Sequence, residues 1–381
     1  MSEVVLPHLV RSHAGLYTRT LDLASGPLAS AADRGAAGRV NRELIAALAE
    51  HGLIARLFPR AACGTPGRRI SATELCILRE SLARGCTQAE TALALQGLGG
   101  YPILLVGSPE LQAAWLPRVA SGELVAAFAL TEPEAGSDAA ALSLAAERDG
   151  GCWRLTGTKK WISNAPEADL YTVFARTTPD AGAHGVTAFV VPGDSKGLGG
   201  QALELIAPHP VGTLELDGVV VGPENVLGEV DGGFKVAMET LDLFRPSVGA
   251  FAVGMAQAAL DAAVEHAGER KAFGGNLRAL QAVSHRLAEM ATRIAAARLL
   301  VYEAAATYEA GERSSGAAAM AKLFATETAQ WVIDGAIQIH GARALEKGHL
   351  LEHLYRDVRP TRIYEGASEI QREVIARELY R

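Results

Sequence analysis

Five short segments carry residues whose types and spacing suit chemistry. The turn Tyr364-Glu-Gly-Ala-Ser-Glu sets one carboxylate, Glu365, between an aromatic and a glycine among mostly apolar neighbours. Burial there disfavours the ionised form and raises the carboxyl toward the working range of a general base; the competing reading is a solvated carboxylate at a helix entry. Phe128-Ala-Leu-Thr-Glu-Pro-Glu-Ala-Gly-Ser-Asp (128–138) is forced into a loop by Pro133 and Gly136. Either the hydroxyls of Thr131 and Ser137 and the amides around Gly136 donate to a flat heterocycle and a phosphate, or this is a plain surface loop. Lys159-Lys-Trp-Ile-Ser-Asn-Ala puts Trp161 near Ser163. The indole either stacks on a ring system or, the reading favoured for this residue alone, closes a β core.

The other two segments suit a nucleotide. In Arg270-Lys-Ala-Phe-Gly, with Gln281 eleven residues on, Arg270 can clamp a diphosphate and Phe273 can lie under an adenine. In Gln338-Ile-His-Gly-Ala, Gln338 and the Gly341 backbone can reach polar base edges, and both segments also read as helix-end caps. His340 and His209 lack partners at recognisable spacing and are taken as packing histidines. Cys63, Cys76, Cys86 and Cys152 show neither Cys-x-x-Cys spacing nor nearby histidine pairs, so neither a metal site nor a disulfide framework is expected.

The elements that must position these segments follow from periodicity. Up to about residue 125, Leu44, Ile45 and Leu48, then Leu75, Ile77, Leu78 and Leu82, then Leu93, Leu95 and Leu98 recur at helical steps. Between about 126 and 225 come short β-type runs beginning at Trp153, Leu170, Val186 and Leu214. Helical periodicity returns from about 230, with runs at 248–266, 280–300 and 320–339. Ser368 and Gln371 read as a capping box that opens a last helix whose inward face is Ile370, Val374 and Leu379. The expected fold is α+β and mostly α: an N-terminal helical domain (1–125), a small middle β-barrel or sandwich (126–228) and a C-terminal four-helix bundle (229–381).

Composition narrows the class of function. The 381 residues are 49% hydrophobic, enough for a large core, and 36 basic against 43 acidic residues leave no basic footprint for nucleic acid or anionic lipid. The first thirty residues are interrupted by charge and no run of ~18 apolar residues occurs, so a cytoplasmic protein without membrane insertion is expected. Only seven of the 36 basic residues are lysine, which with abundant alanine points to a bacterial source. The 40 glycines show no Gly-X-Y period and mark turns and close approaches.

In this order and spacing the five segments resemble the acyl-CoA dehydrogenase family of flavoproteins, across essentially the whole chain. Gly218-Val-Val-Val-Gly-Pro-Glu-Asn-Val-Leu-Gly, Gly232-Gly-Phe-Lys-Val-Ala-Met, Leu241-Asp-Leu-Phe-Arg-Pro and Tyr355-Arg-Asp-Val-Arg extend the match. The resemblance implies FAD, a homotetramer built as a dimer of dimers, and transfer of electrons to an electron-transfer flavoprotein. It places Phe128, Leu130, Thr131, Gly136, Ser137, Trp161, Ile162 and Ser163 at the flavin, with Ala367 and Glu369 near its phosphates. Arg270, Phe273, Gln281, Gln338, Gly341 and Ala342 would hold the adenine half of a neighbouring subunit's cofactor. Glu365 matches the base that takes the α-proton of an acyl-CoA or acyl-carrier thioester while flavin N5 takes the β-hydride, giving a trans-2-enoyl product. Some members carry the base at the position of Phe244, which cannot accept a proton. Ser137, Asp242 and Arg245 match positions near the substrate, and Leu98, Tyr101, Phe244 and Tyr364 would line the acyl pocket. Ala367 stands where the family usually has threonine, and Ala342 where it has a second glycine. Two other activities fit such a chain: a flavin monooxygenase or oxidase on the same fold, and an acyl thioester-binding protein without catalysis.

Overall fold

The computed structural model describes residues 7–58 and 70–380, so Cys63 lies outside the described residues. Among the described residues the N-terminal part holds six α-helices: α1 (Ala14–Ser25), α2 (Pro27–Ala32), α3 (Arg42–Glu50), α4 (Ala72–Gly85), α5 (Thr87–Val106) and α6 (Pro109–Ala120). Eight strands follow: β1 (Ala126–Ala129), β2 (Ala145–Asp149), β3 (Cys152–Ser163), β4 (Leu170–Arg176), β5 (Val186–Pro192), β6 (Leu198–Gly199), β7 (Val211–Val221) and β8 (Val226–Leu227). The remainder is α7 (Gly233–Glu269), a hairpin of β9 (Lys271–Ala272) and β10 (Gly275–Asn276), then α8 (Gln281–Glu309), α9 (Ser315–His340), α10 (Leu350–Thr361) and α11 (Ser368–Leu379). Each helical and β-type run read from the sequence falls inside one of these elements, except that Leu280, the first residue of the 280–300 run, is the N-cap of α8. The fold is the expected one: helical N-terminal part, middle sheet, helical C-terminal part.

Helix starts follow local chemistry where the sequence supplies it. The Asn41 side chain accepts from the Leu44 amide at 3.0 Å to open α3. Ser108 does the same for Leu111 at 3.2 Å, with Pro109 in the first turn of α6. The expected capping box of α11 does not form. Ala367 is its N-cap, the Ser368 hydroxyl donates to Glu327 at 2.7 Å, and the Gln371 amide turns back onto the carbonyls of Glu365 and Gly366. The inward face is also weaker than expected, since Leu379 is exposed.

The chain divides into two compact units, each interleaved in sequence. One holds α1, α4, the first turn of α5, and everything from Asp242 onward. Its interior includes a buried polar cluster in which Glu80 accepts from Arg298 Nε (2.9 Å) and from the Tyr302 hydroxyl (2.9 Å), while Gln257 accepts from Arg298 Nη2 (3.0 Å). Removing one partner of such a cluster strands buried charge. Helix α7 is long and apolar enough to cross a membrane, but 83% of its most apolar window is buried within the protein, as in a core helix.

The other unit holds α2, α3, α6, the rest of α5 and the sheet. Strand order is β6-β7-β3-β2-β4-β5-β8, with β1 added parallel to β4. Gln96 of α5 anchors the first strand, accepting from the Ala126 amide (2.8 Å) and donating to the Leu124 carbonyl (2.8 Å). Thr172 of β4 donates to the Gly99 carbonyl at 2.9 Å.

Backbone contact between helices sets α7 on α4. A Cβ added at Gly254 would lie 2.3 Å from the Glu80 carbonyl oxygen and 2.7 Å from the Ala83 Cβ, so only glycine fits. Gly254→Val is expected to cost about 3 kcal/mol by overpacking, read as a lower denaturation midpoint; unchanged stability would contradict this packing.

Candidate active site

Glu365 sits in a turn that the sequence makes possible and three helices hold. Its φ is 52° and that of Gly366 is 97°, so two successive residues are left-handed. Gly366 is required twice over, because a Cβ there would also meet Gln371 Nε2 at 2.4 Å. The exposed carbonyls are satisfied from α7, α9 and α11. Arg245 Nε donates to the Glu365 oxygen (3.2 Å), Lys322 Nζ to the Gly366 oxygen (2.7 Å), and Gln371 Nε2 to both (3.3 and 2.9 Å). Lys322 is fully buried, and burial pulls its ammonium down to about 8 against the attraction of Glu365.

The carboxyl held by this turn is withdrawn from water. Glu365 Oε2 is buried and has no hydrogen-bond partner among the described residues. Desolvation raises the carboxyl above its ordinary range, opposed in order by Arg79, Lys322 and Arg245. Tyr364 beside it is half-buried, its hydroxyl pushed up first by burial and then by Glu90. Phe244 is fully buried. Asp242 accepts from Arg245 Nη1 (2.8 Å) and from the Ser315 hydroxyl (3.2 Å), so the pair expected near the substrate also braces the Glu365 turn. Leu98 and Tyr101 lie on α5, half-buried and buried.

In the sheet-bearing unit the loop 128–138 and the Trp161 segment come together. The Lys160 amide donates to the Thr131 carbonyl at 3.0 Å. Lys159, fully buried, donates to the Leu130 carbonyl (2.9 Å) and pairs with Glu132 (2.7 Å). Burial lowers the lysine to about 8 against the pull of Glu132. For Glu132, Lys159 and the Ser143 and Leu144 amides outweigh desolvation and hold the carboxyl below its usual range. The register of β3 against β7 slips between Lys159 and Ile162, and Trp161 occupies that bulge at φ 57°. Strict alternation would place Trp161 on the face of Lys159; the bulge instead keeps Lys159 and Ile162 inside and turns the indole out, 48% exposed. Trp153, at 4% exposure, is the tryptophan that closes this core. Phe128 packs on Phe174 with ring centroids 4.9 Å apart, and Leu130 is buried.

The nucleotide-type segments meet at one end of the helical unit. His266 near the end of α7 stacks on His340 at the end of α9 with centroids 4.3 Å apart, and His340 Nδ1 bonds the Ala336 carbonyl at 2.8 Å. His340 is thus a packing residue, as expected. The tip of the β9–β10 hairpin presents Phe273 at φ 50° and 92% exposure. Gly341 (φ 68°), Ala342, Gln338 and Gln281 are exposed nearby in the chain. Ala367 is half-buried, and exposed Glu369 pairs with Arg372 at 3.3 Å.

Residues 19–123, 127–219 and 231–380 match the N-terminal, middle and C-terminal domains of acyl-CoA dehydrogenases. The cyclohexane-1-carbonyl-CoA dehydrogenase of Geobacter metallireducens is 39% identical over 356 residues, 93% of this chain and 92% of that protein. Butyryl-CoA dehydrogenase from Megasphaera elsdenii superposes with a TM-score of 0.89 at 32% identity, covering all of both chains. A chain in the solved structure described as the electron transferring flavoprotein of Acidaminococcus fermentans does so at 0.91 and 34%, again over both full lengths. The chain belongs to the acyl-CoA dehydrogenase family. It is an oxidoreductase acting on CH–CH groups, and its cofactor is FAD.

The donor set fits that cofactor. Among the described residues, the side-chain donors of Thr131, Ser137, Ser163, Arg270, Gln281 and Gln338 have no protein partner, while Trp161 and Phe273 offer exposed ring faces. Sequence reasoning missed Lys159, Glu132, Lys322 and Arg79. The first two lie inside quoted segments, but their pairing spans 27 residues and carries no local spacing signal. Lys159→Met is expected to cost about 3–5 kcal/mol by stranding Glu132 and to loosen FAD through the 128–138 loop. Thermal unfolding and flavin retention on gel filtration check this; a variant as stable and as yellow as the parent contradicts it.

Proposed function

We propose that this protein oxidises an acyl-CoA thioester to the trans-2-enoyl thioester, with Glu365 as the base. The observation that carries the reading is the buried, unpartnered Glu365 Oε2, a proton acceptor raised by desolvation and fixed by the turn. Glu365 takes the proton released when the α C–H bond breaks, and the Glu365 amide would donate to the thioester oxygen. When bound, FAD supplies the acceptor for the β-hydride. Thr131, Ser137, Trp161 and Ser163 would hold the flavin end. Arg270, Phe273, Gln281, Gln338 and the Gly341–Ala342 backbone would hold the adenine of a neighbouring subunit's cofactor. Phe244 and Tyr364 would flank the acyl group. That division supports a homotetramer built from dimers, since Phe273 extends almost fully exposed from its own chain.

The likeness to the Acidaminococcus fermentans structure supports an electron-transfer flavoprotein as the electron acceptor. The bacterial relative supports a bacterial, cytoplasmic setting. The domain division proposed is 1–125, 126–228 and 229–381. Glu365→Gln is expected to leave FAD bound and slow anaerobic flavin bleaching by acyl-CoA about 10²–10⁴-fold. The parent protein tested against straight, branched and cyclic acyl-CoA thioesters defines the acyl class. Bleaching of the variant at the parental rate would exclude Glu365 as the base.

A further inference from the structure

The loop that carries Glu365 is closed at its neck by a side chain that the proposed reaction leaves without a role. The loop departs from α10 at Arg362, where the Ile363 and Tyr364 amides still donate to the Pro360 carbonyl at 2.8 and 3.1 Å. It enters α11 at Ser368, whose amide donates to the Arg362 carbonyl at 3.1 Å, so its two stems meet. Glu327 of α9 spans that meeting point. Its Oε1 accepts from the Ser368 hydroxyl at 2.7 Å, and its Oε2 pairs with Arg362 Nη2 at 2.9 Å. Earlier on the same helix, Lys322 Nζ holds the Gly366 carbonyl at 2.7 Å. Helix α9 therefore grips the loop at its neck and at its apex.

Stability does not account for the clasp. The Arg362 and Glu327 side chains are 32% and 31% exposed, and a pair so open to water contributes little to folding. Ser368 is 3% exposed, and its hydroxyl serves Glu327 while α11 starts at Ala367 without a side-chain cap. Burial raises the Glu327 carboxyl, but Ser368 and then Arg362 outweigh it and hold the group below its usual range, so the clasp is a carboxylate. Between the stems lies Glu365 at φ 52°, a left-handed conformation that a glutamate keeps only where its surroundings impose it.

We infer that Glu327 is a positioning residue for the base: by joining Arg362 to Ser368 it closes the neck of the loop and so fixes the orientation in which Glu365 is presented to substrate. The inference rests on the reading of Glu365 as the base. Two measurements on the FAD-loaded protein test it. Hydrogen–deuterium exchange of the segment 362–368 reads the clasp itself, whatever Glu365 does. Exchange is expected to speed up about 10-fold or more in Glu327→Leu, and less in Glu327→Gln, which still accepts from Ser368. Anaerobic flavin reduction by an acyl-CoA, followed by stopped flow, reads the base. Its limiting rate is expected to fall about 10–100-fold in Glu327→Leu and in Arg362→Met, while the thioester concentration giving half that rate stays within about twofold. Arg362→Lys, which keeps the charge, is expected to recover most of the lost rate. If Glu327→Leu does not fold, Arg362→Met carries both measurements. Exchange unchanged in every folded variant would overturn the inference, and so would faster exchange with an unchanged limiting rate, the pattern of a merely structural clasp. Bleaching of Glu365→Gln at the parental rate would instead strike the base assignment, with the exchange result still reporting on the clasp.

Discussion

Placing a carboxylate out of water in a left-handed turn is the constraint on which the helical unit is built. Glu365 at φ 52° is costly in backbone terms, and its carboxyl is costly in solvation terms. Neither persists unless the surroundings impose it. Gly366 relieves the second left-handed position, and Arg245, Lys322 and Gln371 bind the two carbonyls that the turn exposes. Those donors come from α7, α9 and α11, so the geometry of Glu365 depends on these helices being assembled. Close packing at Gly254 and the Glu80–Arg298–Tyr302 cluster contribute to that assembly.

The sheet-bearing unit solves a related problem by different means. The loop 128–138 carries hydroxyls and amides that serve a ligand only if the loop keeps its shape. The buried Lys159–Glu132 pair supplies that shape from below, and the Lys160 amide fixes the Thr131 carbonyl from the side. One bulge in β3 then accomplishes two things, keeping Lys159 inside and turning Trp161 out. The out-turned indole and the buried lysine that supports the loop are therefore neighbours on one strand.

Much of this was legible in the sequence, for physical reasons that differ residue by residue. The helices and strands followed from period alone, because leucine spacing and β-branched runs report which faces are buried. Glu365 stood out because a lone carboxylate between an aromatic and a glycine is an unusual local pattern. Trp161 did not resolve from its own neighbours, since a one-residue bulge reverses the face and leaves no mark in composition. The Ser368–Gln371 box misled because the nearby Glu327 and the open carbonyls of the base turn are stronger partners than the helix's own amides. Arg79, Lys322 and the Lys159–Glu132 pair were invisible for one shared reason: each acts across tens to hundreds of residues.

The proposed proton abstraction by Glu365 can be isolated from electron transfer with an acyl-CoA whose β-carbon is replaced by sulfur, so that no hydride can leave. Incubation of the FAD-loaded protein in deuterated buffer, followed by NMR of the α-position, measures the base alone. The account predicts that the parent protein exchanges the α-protons for deuterium and that Glu365→Gln does not. Exchange at equal rates in both would contradict it.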